Sequence, residues 1–521
     1  MWARRGTLDT IFRLACDTPV IDSHTHIQDD LTDFDSTLAS GNLAGTQSGI
    51  NRFPAYLLKE ATRRGRLVRR TMMDMTHGLF YSWFAEIAEG SAGRLDEAVA
   101  ALGANTEAAR LHSGRIMLRE LQDSRYSEYA EWLRYMFRLY PGAPADPLDP
   151  ASAEATYAAV KACRSDPAFA EKVLAAHNVR AYVTSIENRD RVPLHPAGCT
   201  LGQVDCAFAT HPEAYNMFDA NYLVWPEGAT DFGLFLAGHK YQAERYLLVL
   251  EEKTGEPIIG PKQLRDAVHC FLRRILWSPI SNPASRIRYT DLFHPIDWSL
   301  SAACEPAAVA TAIRYHKGAL HGEHRRQVVA YVTQCLLEAL DEIGAQMRRQ
   351  GHRYGSCLQI AVGVTYFMDP SREIQSLPVY RAGLPQAEYP AWVAYPNVHF
   401  EYICAHPTLY ADYASAAKQV ANVSVGPWWH FFRKHQIAAM LYDQLSMGPV
   451  TAIASGFTDA RFVEMLAAKY RSVRWALAAA LAELCDDPAS SLTLEQVPAL
   501  LREIMLTNPA AVHHLPVEVA S

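Results

Sequence analysis

The sequence predicts an α/β protein, a closed (β/α)8 barrel of the TIM type with a large helical insertion after the first strand. Three observations point there. Eight short, β-rich apolar runs recur along the 521 residues. Helical patterns separate most of them, which implies parallel βαβ units. No GxGxxG or Walker A pattern follows any run, whereas an open doubly wound sheet, the competing arrangement, normally carries a Gly-rich turn after its first strand. In a closed barrel the site lies at the C-terminal ends of the strands.

The first run is Pro19-Val20-Ile21-Asp22, leading straight into Ser23-His24-Thr25-His26-Ile27. A helical region follows from about Leu57 to His177, with Pro/Asp-rich punctuation over 141–151. It is too long for one crossover helix, so a helical subdomain is expected over 28–177. Residues 1–27 then hold the N-terminal segment and first strand, and 178–521 the remainder of the barrel. The later runs are 179–185 (VRAYVTS), 221–225 (NYLVW), 286–291 (RIRYTD), 357–364 (CLQIAVGV), 398–404 (VHFEYIC), 420–425 (VANVSV) and 450–455 (VTAIAS). The stretch 372–397, rich in proline and tyrosine, is expected to form a loop over the barrel mouth.

Lys plus Arg is 49 against 56 Asp plus Glu, a net charge of −7. Mild acidity argues against a broad nucleic-acid or anionic-membrane footprint, which needs a clustered basic surface. No apolar run approaches the ~20 residues of a membrane helix. Thr7, Asp9, Thr10 and Arg13 interrupt what would be the core of a signal peptide. The ten cysteines include no CxxC pair, so they read as reduced thiols rather than a disulfide framework. The expectation is a soluble cytoplasmic enzyme with a small-molecule substrate.

The strongest local signal is His24-Thr25-His26. Alternate side chains of a strand share a face, so the two imidazoles converge. Neutral imidazoles ligate zinc or a similar divalent ion; a hydrogen-bonded structural pair is the competing reading. The second signal is Phe457-Thr458-Asp459-Ala460-Arg461, after the last run. First and eighth strands are neighbours in a closed barrel, so Asp459 would point into the mouth beside the histidines. There it would complete a metal's coordination or carry a proton; as a helix N-cap it would do neither. Arg461 would bind a substrate carboxylate or pair with a nearby acid. In Gly426-Pro427-Trp428-Trp429-His430, one tryptophan would wall a sugar ring, with core packing as the alternative.

Three other groups read as bland or open. His321, Glu323 and His324 share a helical face without the HExxH spacing and read as solvated. His513 and His514 are expected to be exposed. The basic group Arg63–Arg70 is a solvated face or a contact for an anionic substrate group.

Together these segments resemble uronate isomerase, a (β/α)8 branch of the amidohydrolase superfamily. The opening Pro-(Ile/Val)-x-Asp-x-His-x-His of that family matches Pro19 to His26. Its late Gly-Trp-Trp-Phe is matched in part by Trp428-Trp429, and its closing Thr-Asp-Ser-Arg-(Ser)-Phe by Thr458 to Phe462. The resemblance implies one divalent metal, zinc with manganese or iron as alternatives, held by His24, His26 and Asp459. The catalytic candidates are Asp459, His406 and Arg461, the substrate-contact candidates are Arg288, Asp291, Trp428, Trp429 and His430, and the resemblance also implies a homo-oligomer. The activity implied is metal-dependent aldose–ketose isomerisation of a hexuronate or related sugar acid.

The departures qualify the substrate more than the metal. The family's Thr-Thr-Asp-Asp-Pro is Thr184-Ser185-Ile186-Glu187-Asn188 here, and its Trp-Arg-Pro-Asp is Trp225-Pro226-Glu227. Its Ser-Asp-His becomes Thr290-Asp291-Leu292, and Ala361 stands where its fifth strand has a histidine. Its Cys-Leu-Asn-Pro becomes Cys404-Ala405-His406-Pro407, so His406 is gained, either as a third imidazole or acid/base or as a capping residue. The alternative function is therefore a hydrolase or lyase of the same superfamily, using a metal-bound water on a different carboxylate-bearing small molecule.

Overall fold

The structure is a computed structural model. It describes residues 5–25, 107–120, 122, 125–164, 168–185, 214–220, 247, 251, 255, 257–294, 298–316, 322–368, 374–427, 432–453, 456–460 and 463–517.

Seven strands form one sheet in which every pair is parallel. They are β1 (Val20–Thr25), β2 (Val179–Ser185), β3 (Ala214–Asp219), β4 (Ile287–His294), β5 (Ser356–Val362), β8 (Val398–Cys404) and β9 (Val423–Pro427), hydrogen-bonded in that order. An antiparallel hairpin, β6 (Val364–Met368) and β7 (Ile374–Pro378), leaves the end of β5. The segment 453–460 reaches both outer strands through single parallel bridges, Ile453 to Val425 of β9 and Ala460 to Thr25 of β1.

The two faces of the strands build separate cores, as a period of two requires. Leu358, Ile360 and Val362 of β5 and Phe400, Tyr402 and Cys404 of β8 share a core with apolar residues of the helices Pro261–Ile275 and Gly322–Arg349. Within this layer His294 and Glu388, both fully buried, lie 2.8 Å apart, and Tyr413 donates to Glu388 at 2.8 Å. On the other face Ile21, Ala181, Val183, Met217, Tyr289 and Cys357 cluster with Leu506, Ala510, Val512 and Leu515 of the C-terminal segment.

The helix Arg5–Asp17 precedes β1, and between β1 and β2 come four described α-helices, Glu107–Glu120, Glu128–Arg138, Ala153–Arg164 and Phe169–Ala176. The second begins at Ser127, whose hydroxyl accepts from the Ala130 amide at 3.2 Å, a regular N-cap. Its buried Trp132, Leu133 and Met136 join the core of the long helix Val463–Asp486. That helix is buried on nearly every side, polar Glu464, Lys469, Ser472 and Arg474 included, and Trp132 donates its indole N–H to Ser472 on it. Arg474 of the same helix is buried and donates to the carbonyls of Thr18 at 3.2 Å and His177 at 2.7 Å. It thereby joins the entries to β1 and β2.

Several boundaries differ from expectation. The third strand is Ala214–Asp219 rather than 221–225, a stretch outside the described residues. β5 ends at Val362 because Gly363, at φ +84°, turns the chain into the hairpin; a Cβ there would lie 2.7 Å from Leu409 Cδ1. Residues 450–452 form a 3-10 turn, and among its described residues the eighth run contributes one bridge, Ile453 to Val425. The expected loop over 372–397 contains β7 and the helix Leu384–Ala394. No described helix is long and apolar enough to cross a membrane, and the eight described cysteines are all free thiols.

Candidate metal centre

The centre starts from Asp22 on β1. It is fully buried and accepts from the Thr458 amide at 3.0 Å, from the Thr458 hydroxyl and from the His24 amide at 3.3 Å. Burial pushes its carboxyl up to about 8, even though those donors and the nearby Lys469 favour the charged form. Lys469 donates to the Thr458 carbonyl at 2.6 Å. Asp22 and Lys469 therefore hold Thr458 from two sides and fix the segment that follows it against β1.

The next residue, Asp459, has φ 53°, a left-handed conformation that is uncommon outside glycine but accessible to Asp. Its amide donates to the His24 carbonyl at 2.8 Å. This turn sets Asp459 Oδ1 3.8 Å from His24 Nε2, with both side chains 12% exposed. Two ligands of one tetrahedral ion, with bonds of about 2.0–2.2 Å, stand about 3.5 Å apart. The observed pair has nearly that spacing.

Gln359 on β5 decides which nitrogen of His24 carries the proton. Its Nε2 donates to Glu401 Oε2 at 2.6 Å, and its Oε1 is bonded to His24 Nδ1. Burial alone would raise the Glu401 carboxyl, but the neighbouring His513 ring and the Gln359 amide outweigh it and hold the group below the usual carboxylate range. An ionised carboxylate only accepts, so the Gln359 NH2 faces it and Oε1 is left to accept from His24 Nδ1–H. His24 Nε2 then bears the lone pair on the side of Asp459. That is the tautomer a metal ligand needs.

The sheet register extends this polar layer. Asp291, Gln359, Glu401 and Ser424 pair in line across β4, β5, β8 and β9. Asp291 thus belongs to the row of Gln359. Two residues further along, Phe293, Ala361, Ile403 and Gly426 form a row without a polar side chain.

The remaining expected site residues divide three ways. His26, Arg461, Trp428, Trp429 and His430 lie outside the described residues, as do Arg63–Arg70 and His321. His406 caps the helix Pro407–Ala417, its Nδ1 accepting from the Thr408 amide at 3.2 Å, and its ring tilts against Tyr380; Nε2 takes no part in the cap. Arg288 sits near the start of β4, where its guanidinium donates to the His514 carbonyl at 3.2 Å and lies over Trp277. Trp277 precedes β4 and the partner of His514, Gly355, precedes β5. The strand therefore carries Arg288 to the end away from His24 and Asp459, and the substrate contact expected of it does not fit that place.

His513 and His514 are buried, not exposed, because the C-terminal segment folds under the sheet. Burial pushes His514 down to about 3. Glu323 is exposed and paired with Arg326, while His324 is half-buried. Sequence reasoning gave no role to Asp22, Gln359, Glu401 or His513. Asp22 stood inside the histidine motif and Gln359 beside Ala361, and those were the only signals for them.

Together the fold and this centre define a class: a parallel α/β sheet with a histidine–aspartate pair where the last segment meets the first strand. Solved uronate isomerases share the fold. A glucuronate isomerase from Caulobacter crescentus superposes with a TM-score of 0.63 at 13% identity, covering 99% of this chain and 95% of its own. A uronate isomerase from Thermotoga maritima gives 0.61 at 13% identity, with 98% of each chain covered. One from Bacillus halodurans gives 0.55 at 14%, covering 99% and 97%. No protein-family model and no curated protein matches the chain.

Proposed function

We propose that the chain is a divergent uronate isomerase-like enzyme, a metal-dependent aldose–ketose isomerase acting on a hexuronate or related sugar acid. The observation that carries this reading is the His24–Asp459 pair, set by the Asp22–Thr458 contact and given its tautomer by Gln359, in a fold that uronate isomerases share. In this reading the bridges of 453–460 to β9 and β1 complete a (β/α)8 barrel whose mouth holds the site. His24, His26 and Asp459 hold one divalent ion, zinc by preference for a nitrogen and oxygen donor set.

When bound, the ion supplies positive charge for the carbonyl and adjacent hydroxyl oxygens of the substrate. Asp459 moves the proton between the neighbouring carbons, with His406 Nε2 as a second carrier. Arg461 reads the carboxylate with its two parallel N–H donors. Trp428 and Trp429 wall the sugar, and Asp291 and His430 contact its hydroxyls.

Gln359→Leu tests the tautomer. It is expected to weaken metal binding about 10–100-fold, as loss of a histidine's outer partner does, measured by competition with a chelator. Unchanged affinity would mean that the amide does not set the ring.

Proton NMR of metal-replete protein in D2O with glucuronate and galacturonate tests the reaction. Ketose carrying deuterium at the exchanging carbon supports the isomerase. The row of Phe293, Ala361 and Ile403, which places no imidazole on β5, favours a second reading: a hydrolase or lyase of another carboxylate-bearing compound. No conversion by protein shown to hold its metal would overturn the first reading in favour of that one.

A further inference from the structure

Three side chains that the proposed reaction does not use meet inside the sheet. Cys357 comes from β5, Glu401 from β8 and His513 from the C-terminal segment, and all are buried. One ligand atom from each, thiol sulfur, carboxylate oxygen and ring nitrogen, lies within 4.8 Å of the other two. His513 Nε2 is 3.4 Å from Glu401 Oε2. The His513 ring is 0% exposed, and neither of its nitrogens makes a hydrogen bond. A buried imidazole whose Nδ1 has no partner and whose Nε2 has only a 3.4 Å approach to a carboxylate calls for an explanation. Tyr289 packs on that ring with centroids 4.4 Å apart, which fixes its plane.

We propose that Cys357, Glu401 and His513 form a second metal site, structural in function, that takes zinc. The donor set selects the ion: a thiolate beside an imidazole suits zinc, while magnesium and calcium require oxygen ligands. Tetrahedral bonds of about 2.0–2.3 Å separate ligands by about 3.5 Å. His513 and Glu401 already have that spacing, and the Cys357 sulfur lies within 4.8 Å of both. On binding, the Cys357 thiol releases its proton to solvent and ligates as the thiolate, while Glu401 ligates as the carboxylate and His513 through a ring nitrogen lone pair. Gln359 donates to Glu401 as the outer partner that orients a metal-bound carboxylate. The site ties the C-terminal segment to β5 and β8, and through Gln359 it adjoins the His24 centre without sharing a ligand with it.

Cobalt distinguishes the two centres. His24, His26 and Asp459 offer no sulfur, so cobalt bound there gives no thiolate-to-cobalt charge-transfer absorption. Protein produced in cobalt-supplemented medium is expected to show that near-ultraviolet band, and Cys357→Ser to lose it while keeping the metal of the His24 centre. Zinc content should fall by one equivalent per chain in the same variant, and in His513→Gln. A wild-type protein without the band overturns the proposal, whether or not the variants fold. So does a band that persists in Cys357→Ser, since it would come from another thiol.

Discussion

Asp459→Asn is expected to lower turnover by about 10²–10⁴-fold, the range lost when a positioned proton carrier is removed. The substitution keeps the shape of the side chain and its backbone hydrogen bond to the His24 carbonyl, so the turn at Thr458 survives. What goes is the charge facing His24 Nε2. The measurement pairs turnover on the substrate found by NMR with metal content and with hydrogen–deuterium exchange at the reacting carbon. Loss of turnover and exchange with the metal retained makes Asp459 the proton carrier. Loss of the metal as well makes it a ligand. Turnover at the wild-type level would remove Asp459 from the reaction and the proposed centre with it.

Gly355→Ala is expected to be the most destabilising single methyl group among the glycines described here. A Cβ at Gly355 would stand 1.7 Å from the Asn397 carbonyl oxygen, and one at Gly344 2.0 Å from the same atom. Both glycines let the end of the helix Gly322–Arg349 and the entries to β5 and β8 meet at one point. Asn397 cannot retreat, because its amide and side chain both donate to Asp341, at 2.8 and 3.2 Å. The Gly355 carbonyl is also bonded to His514, 2.7 Å away, so the C-terminal segment would shift too. Overpacking against fixed backbone costs about 1–3 kcal/mol and occasionally more. The urea midpoint should fall with little change in slope. Gly114→Ala, on a helix with nothing within 4 Å of its Cβ, serves as the control and is expected to gain up to about 1 kcal/mol. A Gly355→Ala protein as stable as the wild type would show that this junction gives way easily.

The parts legible in the sequence were those with a local period or a local chemical pattern. Residues 179–185 and 398–404 read as strands because their apolar runs are short, β-rich and bounded, and both are strands with those limits. His24 was legible because a histidine repeat on a strand has only one geometric meaning, two rings on one face. Asp459 required one further step, that the last segment returns beside the first strand, and the bridge from Thr25 to Ala460 makes that approach. The third strand was misplaced because residues 221–225 are the more apolar run; Ala214–Asp219 is a strand through its pairing with β2 and β4, which no local pattern reports.

By itself, then, the sequence determined the parallel α/β class and singled out His24 and Asp459, since alternation and short motifs are properties of neighbours along the chain. Only the tertiary structure decided how those two side chains are held. Asp22 meets Thr458 across 436 positions, and His24 meets Gln359 across 335. Gln359 and Glu401 face each other because β5 and β8 pair in one register, where a slip of either strand by a single residue would turn its side chain to the opposite core. The burial of His513 has the same origin. Nothing around it in sequence distinguishes it from a frayed terminus, and it becomes a core residue because the Leu506–Leu515 cluster covers the apolar face of the strands. Such contacts are set by the closing of long loops over a shared core, and the chain carries no local record of them.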